Sequence, residues 1–141
     1  MSSWKSATAL TLALLAPLAT ADVPAASAAE LAWFEGRWAT GPADVPGHDT
    51  IAAEAPDCQR AVSIRRSGQD RLERTTTLRD GSTHIAEFEI RKFGGNYPWW
   101  PVSGQPGPVA KRTGDNVFVL APTDMGRAQW DRALQHTRCP D

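Results

Sequence analysis

Thr83-His84-Ile85-Ala86-Glu87-Phe88-Glu89-Ile90-Arg91-Lys92-Phe93 decides the fold. Ala86, Phe88 and Ile90 alternate with Glu87, Glu89 and Arg91. A period of two puts successive side chains on opposite faces of an extended chain, so this stretch predicts a strand with one buried face. A slip of one residue would drive both glutamates into the core, which makes the face assignment strong.

Working backward, Asp80-Gly81 is a hairpin turn signal, because Gly accepts the positive φ that such turns need. Residues 71–78 then form the partner strand, with Leu72, Thr76 and Leu78 on one face. Residues 58–66 form another, with Val62 and Ile64 opposed to Ala61, Ser63 and Arg65. Working forward, Gly94-Gly95-Asn96 ends the central strand. Residues 97–108 are too Pro-rich for a central strand. Residues 109–112 and 116–120 make a second hairpin around Gly114-Asp115. Residues 121–126 read as a turn, 126–130 as one helical turn, and 134–139 as a last short strand.

Eleven Pro and eleven Gly in 141 residues favour many turns over long helices. Six or seven short strands joined by tight turns predict an all-β chain with little helix. The expected architecture is a small antiparallel β-barrel or a strongly curled meander. Closure also removes the exposed edges of a small open sheet.

Residues 1–21 have the three parts of a secretory signal peptide. Lys5 gives a basic start, an Ala/Leu run follows, and Ala19 and Ala21 suit a peptidase cut. A second acceptable cut lies after Ala28. The apolar run is interrupted by Pro17 and falls short of the roughly 20 residues an anchor needs, so no stable membrane anchor is expected. Export to the bacterial periplasm or beyond is the expectation. Residues 22–30 are Ala-, Ser- and Pro-rich and are expected to be a disordered linker, leaving 31–141 as a single domain.

Removal of the leader takes one Lys and no acid, so 15 basic and 16 acidic residues become 14 and 16, a net charge of −2. The charges are mixed along the chain. Such a surface offers no drive toward nucleic acid. Cys58 and Cys139 pass through an oxidising compartment, where pairing is the default and two free thiols the alternative.

The chain lacks the usual catalytic signatures. Ser63, Ser67, Ser82 and Ser103 stand outside any nucleophile-elbow pattern. Glu87 and Glu89 share a face, as acid/base pairs can, but charges on an outer strand face are usually only solvated. No Gly-rich loop opens a helix, so no nucleotide is expected. His48, His84 and His136 lie far apart without zinc spacing, so neither metal nor cofactor is expected. His84 alternates with Ala86 and Phe88 and is expected at the core edge. The densest aromatic feature is Tyr97-Pro98-Trp99-Trp100-Pro101. Prolines stiffen it, and Trp and Tyr dominate both interfaces and apolar pockets.

Gly36-Arg37-Trp38, just after Leu31-Ala32-Trp33-Phe34, resembles the Gly-x-Trp signature that opens the first strand of lipocalins and related calycin barrels. The early Trp-Phe-x-Gly-x-Trp segment, together with the ending Met125-Gly126-x-Ala128-x-Trp130 … Arg138-Cys139, is also similar to small secreted bacterial proteins. The lipocalin resemblance implies a short helical turn before the first strand and Trp38 closing one barrel end. It implies a late basic side chain, Arg138, across the indole, and a disulfide tying the carboxy-terminal segment to a barrel strand. It further implies a non-enzymatic binding protein holding a small apolar ligand. Trp38, Phe88 and Phe118 would line the interior, with Tyr97, Trp99 and Trp100 at the mouth. The alternative is a protein-binding module, such as an inhibitor of an envelope or secreted enzyme, that presents the Tyr97–Trp100 segment outward.

Overall fold

The computed structural model describes residues 23–42, 58–78, 80–104 and 106–140. A short helix α1 (Ala28–Phe34) leads into β1 (Gly36–Pro42). The following strands are β2 (Val62–Arg66), β3 (Arg71–Thr77), β4 (Thr83–Ile90), β5 (Tyr97–Pro101), β6 (Val109–Gly114) and β7 (Val117–Ala121). A two-stranded hairpin follows, β8 (Thr123–Asp124) with β9 (Arg127–Ala128), and then β10 (Leu134–Arg138). The barrel is closed and antiparallel, in the order β1-β10-β7-β6-β5-β4-β3-β2. It has eight strands where six or seven were expected.

The alternating segment behaves as its pattern requires. Phe88 and Ile90 are buried, while Glu87 and Glu89 lie on the outer face beside Arg71 and Arg91. Val62, Ile64 and Leu72 join them inside. The 80–81 turn forms with Gly81 at φ +84°.

Several local expectations are corrected. The stretch Tyr97–Pro101 is a barrel strand, paired with both β4 and β6. Its prolines are tolerated because each lies beyond the last rung of the strand its nitrogen faces. The amide of Trp99 points to β6, where it donates to the Pro108 carbonyl at 2.9 Å. The nitrogens of residues 97, 99 and 101 therefore share that side, and the β5–β6 ladder stops at Pro98. The nitrogen of Pro98 faces β4, whose ladder stops at Trp99. Gly107 then presses on the Trp99 carbonyl so closely that any Cβ would overlap it.

Residues 58–60 form a 3-10 turn, so the second strand starts at Val62. Residues 121–126 contain β8 as well as a turn. The expected helical turn at 126–130 is instead β9, with a 3-10 turn at Trp130–Arg132. Met125 and Gly126 both have positive φ and close the β8–β9 hairpin.

The linker 22–30 is not disordered where it is described. Ala25 bridges Arg91, Ala26 is buried, and Ser27 caps α1 in a reciprocal box with Glu30. His84 is exposed rather than at the core edge, and Leu78, at the end of its face, is exposed as well. β2 pairs with β3 only as far as Thr75, and β5 pairs with β4 only from Phe88 onward. The outer end of the β3–β4 hairpin therefore projects past both neighbours.

Cys58 and Cys139 are joined by a disulfide, with Cα atoms 5.7 Å apart. The chain-entropy model credits so long a closed loop with roughly 4 kcal/mol. Among the described residues no helix is long and apolar enough to cross a membrane.

Candidate functional site

The barrel interior is divided in two. The half under α1 is filled by rings. Leu31 and Phe34 of the helix enter it, and Phe34 meets Tyr97, Trp99 and Phe118 edge-on at 5.1–5.6 Å between centroids. Trp38 packs on Phe118 at 4.7 Å, and Phe88 on Trp99 at 5.4 Å.

Two polar clamps fix the helix over this end. Arg138 lies across the Trp38 indole at 4.2 Å and donates to the carbonyls of Trp33 and Glu35 at the helix end, at 2.6 and 2.8 Å. Trp38 Nε1 donates to the Phe34 carbonyl. At the other helix end, Glu30 accepts from the Tyr97 hydroxyl at 2.6 Å and pairs with Lys92 at 3.0 Å. Burial would raise the Glu30 carboxyl. The bonds from Tyr97, Ser27 and Lys92 outweigh that and hold it down at about 2.

The aromatic segment therefore does not form a mouth. Tyr97 and Trp99 face inward and are buried in the filled half, whereas Trp100 faces outward. Strand alternation makes this inevitable once the segment is β5. Phe88 and Phe118 line the interior as core residues, and Gly36 sits at φ +137° against the Arg138 guanidinium. His48 lies outside the described residues.

The opposite half is polar inside. Alternation places Thr40 of β1, Arg74 and Thr76 of β3, and His136 of β10 on inward-facing positions, alongside Ala86 of β4. His136 is fully buried and stacks on Phe118 at 4.3 Å. Its Nδ1 lies 3.2 Å from the Leu134 carbonyl, which can only accept, so Nδ1 carries the proton. Nε2 then carries a lone pair; it is buried and has no protein partner among the described residues. Burial first, and the charge of Arg74 second, push its pKa down to about 3, so the ring is neutral at pH 7.

Arg74 is part-buried and donates from Nη1 to Thr76 Oγ1 at 3.1 Å, and its buried Nε–H has no protein partner among the described residues. Burial lowers its pKa from the usual guanidinium value. The strand carboxylates Glu73, Glu87 and Glu89 all face outward, where they pair with Arg65, Arg71 and Arg91. Among the described residues, no acid faces Arg74 inside the barrel. The Trp99 Nε1–H is a further buried donor with no protein partner among the described residues.

These polar interior residues were missed by sequence reasoning, although a signal existed for one. Arg74 sits between Leu72 and Thr76 on the face that Leu72 shares, so burial of Leu72 with strand alternation puts it inside. Nothing local marks His136.

Outside the barrel, a pocket of about 570 Å³ lies between the β5–β6 face and the β8–β9 hairpin, lined by Phe93, Pro98, Trp100, Pro106, Val109 and Trp130 among others. Arg91 stacks on Trp100 at 5.0 Å and Lys111 on Trp130 at 5.9 Å. Among the described residues, no group of three or more His, Cys, Asp or Glu is placed to hold a metal ion. The chain matches no family model, no curated protein and no solved structure.

Proposed function

We propose that this is a non-enzymatic, exported binding protein that holds a small amphipathic molecule in the half of its barrel opposite α1. One observation carries the reading: Arg74 is a cation turned into the interior with no acidic partner among the described residues. A cation drawn partly out of water without an acidic partner carries a desolvation cost that a bound anion would offset. The rings of Phe88 and Phe118 offer apolar surface, worth roughly 25 cal/mol per Å² buried.

The test is native mass spectrometry of the protein purified from its producing cells. A retained small-molecule mass, lost in Arg74→Leu, supports the reading. A bare polypeptide mass together with no thermal stabilisation by a panel of apolar acids would overturn it.

A second reading, a protein-binding module, is favoured by the outer pocket with its exposed Trp100. Co-purification of a stoichiometric polypeptide that Trp100→Ala abolishes would select it.

Export is part of the proposal, supported by the disulfide, which suits an oxidising compartment. The contacts of Ala25, Ala26 and Ser27 favour a cut after Ala21 over one after Ala28, because the later cut removes the α1 cap. Amino-terminal sequencing should give Asp22 first.

A further inference from the structure

We propose that the outer face of β5 and β6 is a docking groove for an extended, proline-rich peptide that carries an acidic residue. The inference rests on the second reading above, the protein-binding module, and names its partner. The interior of the barrel plays no part in it.

Trp100 is the ridge of the groove. Its exposed indole lines two depressions, one of about 570 Å³ bounded by Phe93 and Trp130, the other of about 440 Å³ bounded by Arg71 and Val102. Phe93 and Val102 are exposed as well, so apolar surface continues over the ridge from one depression to the other. Arg91 holds the indole in place. Its guanidinium stacks on the ring at 5.0 Å and is itself anchored to Glu89 at 2.9 Å. Pro98 and Pro101 fix the backbone on either side. A surface set this firmly before binding loses little entropy when a partner arrives.

The fold and the ridge select among peptide classes. Strand addition needs an open edge, but β5 is paired on both sides, and so is β6. A helix is about 10–12 Å across and would ride on the ridge, leaving the depressions unfilled. A polyproline II segment is narrow and repeats every three residues at a rise of about 3.1 Å, so one face offers a ring roughly every 9 Å. Two such rings drop to either side of Trp100. The conformation is already formed in the free peptide, which suits a preformed aromatic groove.

Charge around the groove sets the partner's sign. Arg71 and Arg91 are paired with Glu87 and Glu89. Lys111 reaches over the Trp130 ring at 5.9 Å and has no ion-pair partner among the described residues. No carboxylate among them lines the larger depression. An acidic residue beside the prolines meets a free cation there, whereas a basic one meets a like charge.

The experiment is fluorescence anisotropy of labelled peptides on the disulfide-bonded mature protein. Decaproline with an aspartate tail should bind about ten-fold tighter than the same tail on a flexible Gly-Ser chain of equal length. Trp100→Ala should weaken it about ten-fold or more, as loss of a central Trp does at interfaces. Exchanging the aspartates for lysines should cost about three-fold in the wild type, the scale of an exposed ion pair, and nothing in Lys111→Ala.

Equal affinity for the proline and Gly-Ser chains, or proline binding that Trp100→Ala leaves unchanged, overturns the inference. Cellotetraose binding that depends on Trp100, with none of the proline chain, makes the groove a glycan site and overturns it too. If the proline chain fails while a stoichiometric polypeptide still co-purifies through Trp100, the proline assignment falls and the partner reading stands. If neither binds, both fall. Trp100 lies outside the core, and the wild-type comparison of the two peptides needs no variant.

Discussion

The two halves of the barrel are made of the same eight strands and obey opposite rules. Beneath α1, Phe34, Trp38, Phe88, Tyr97, Trp99 and Phe118 each meet another ring, and the helix buries Leu31 and Phe34 at that end. In the other half, the inward positions carry Arg74, Thr76 and His136, and two of these hold buried polar atoms with no protein partner among the described residues. Stability resides in the first half. The second keeps a part-buried guanidinium and a buried neutral imidazole, polar groups that cost free energy to take out of water.

The sharpest test of that contrast is Phe118→Ala, which should destabilise by about 4 kcal/mol in a denaturant titration. Phe118 touches Trp38, Phe34, Trp99 and His136, so its removal opens the centre of the filled half. A loss below about 1 kcal/mol would show that the rings are not the stabilising element.

Acid should strike the other half next. His136 is neutral when folded, with its pKa pushed down to about 3 against 6.5 unfolded. The unfolded chain therefore binds the extra proton between those values, and stability falls as pH drops from 6.5 toward 3. The loss should reach about 3 kcal/mol at pH 4. It should disappear from the pH 6.5–4.5 portion of the profile in His136→Phe, measured by thermal melts across pH.

Glu30→Gln should cost about 2 kcal/mol at pH 7, by weakening the bonds from Tyr97 and Lys92. The wild-type carboxyl is held at about 2, so its contribution is complete above pH 4.5 and is lost as pH falls toward 2. That window lies below the upper part of the His136 transition, which lets one acid titration separate the two ends of the barrel.

The smallest effect has the opposite sign. Arg74→Leu should stabilise the ligand-free protein by about 1 kcal/mol, because it removes an uncompensated cation from the interior. A melt showing Arg74→Leu strongly destabilised would mean that the guanidinium contributes to folding through its bond to Thr76.

The legibility of these halves in the sequence differs for a physical reason. Alternation at 86–91 is a local property of an extended chain, and it placed Phe88 and Ile90 inside without any knowledge of their neighbours. The same logic applied to 71–78 contained Arg74, but a charged residue on a core face is read as a lapse in pattern until the barrel is seen to enclose it. For Tyr97–Pro101 the prolines argued against a strand. Only the lengths of the adjoining ladders show why they are tolerated, and that pairing put Tyr97 and Trp99 in the core and left Trp100 outside.

The amino-acid sequence alone determined that the chain is β-rich, where most strands turn, and which faces of β2, β3 and β4 are apolar, because alternation and turn chemistry act over a few residues. The tertiary structure decided the number of strands, the pairing of β1 with β10, and the closure that turns positions of β3 and β10 toward one interior. Arg74 and His136 both take inward-facing positions because the closed ladder wraps distant segments around one axis. That closure depends on register summed over all eight strands, which no local stretch encodes.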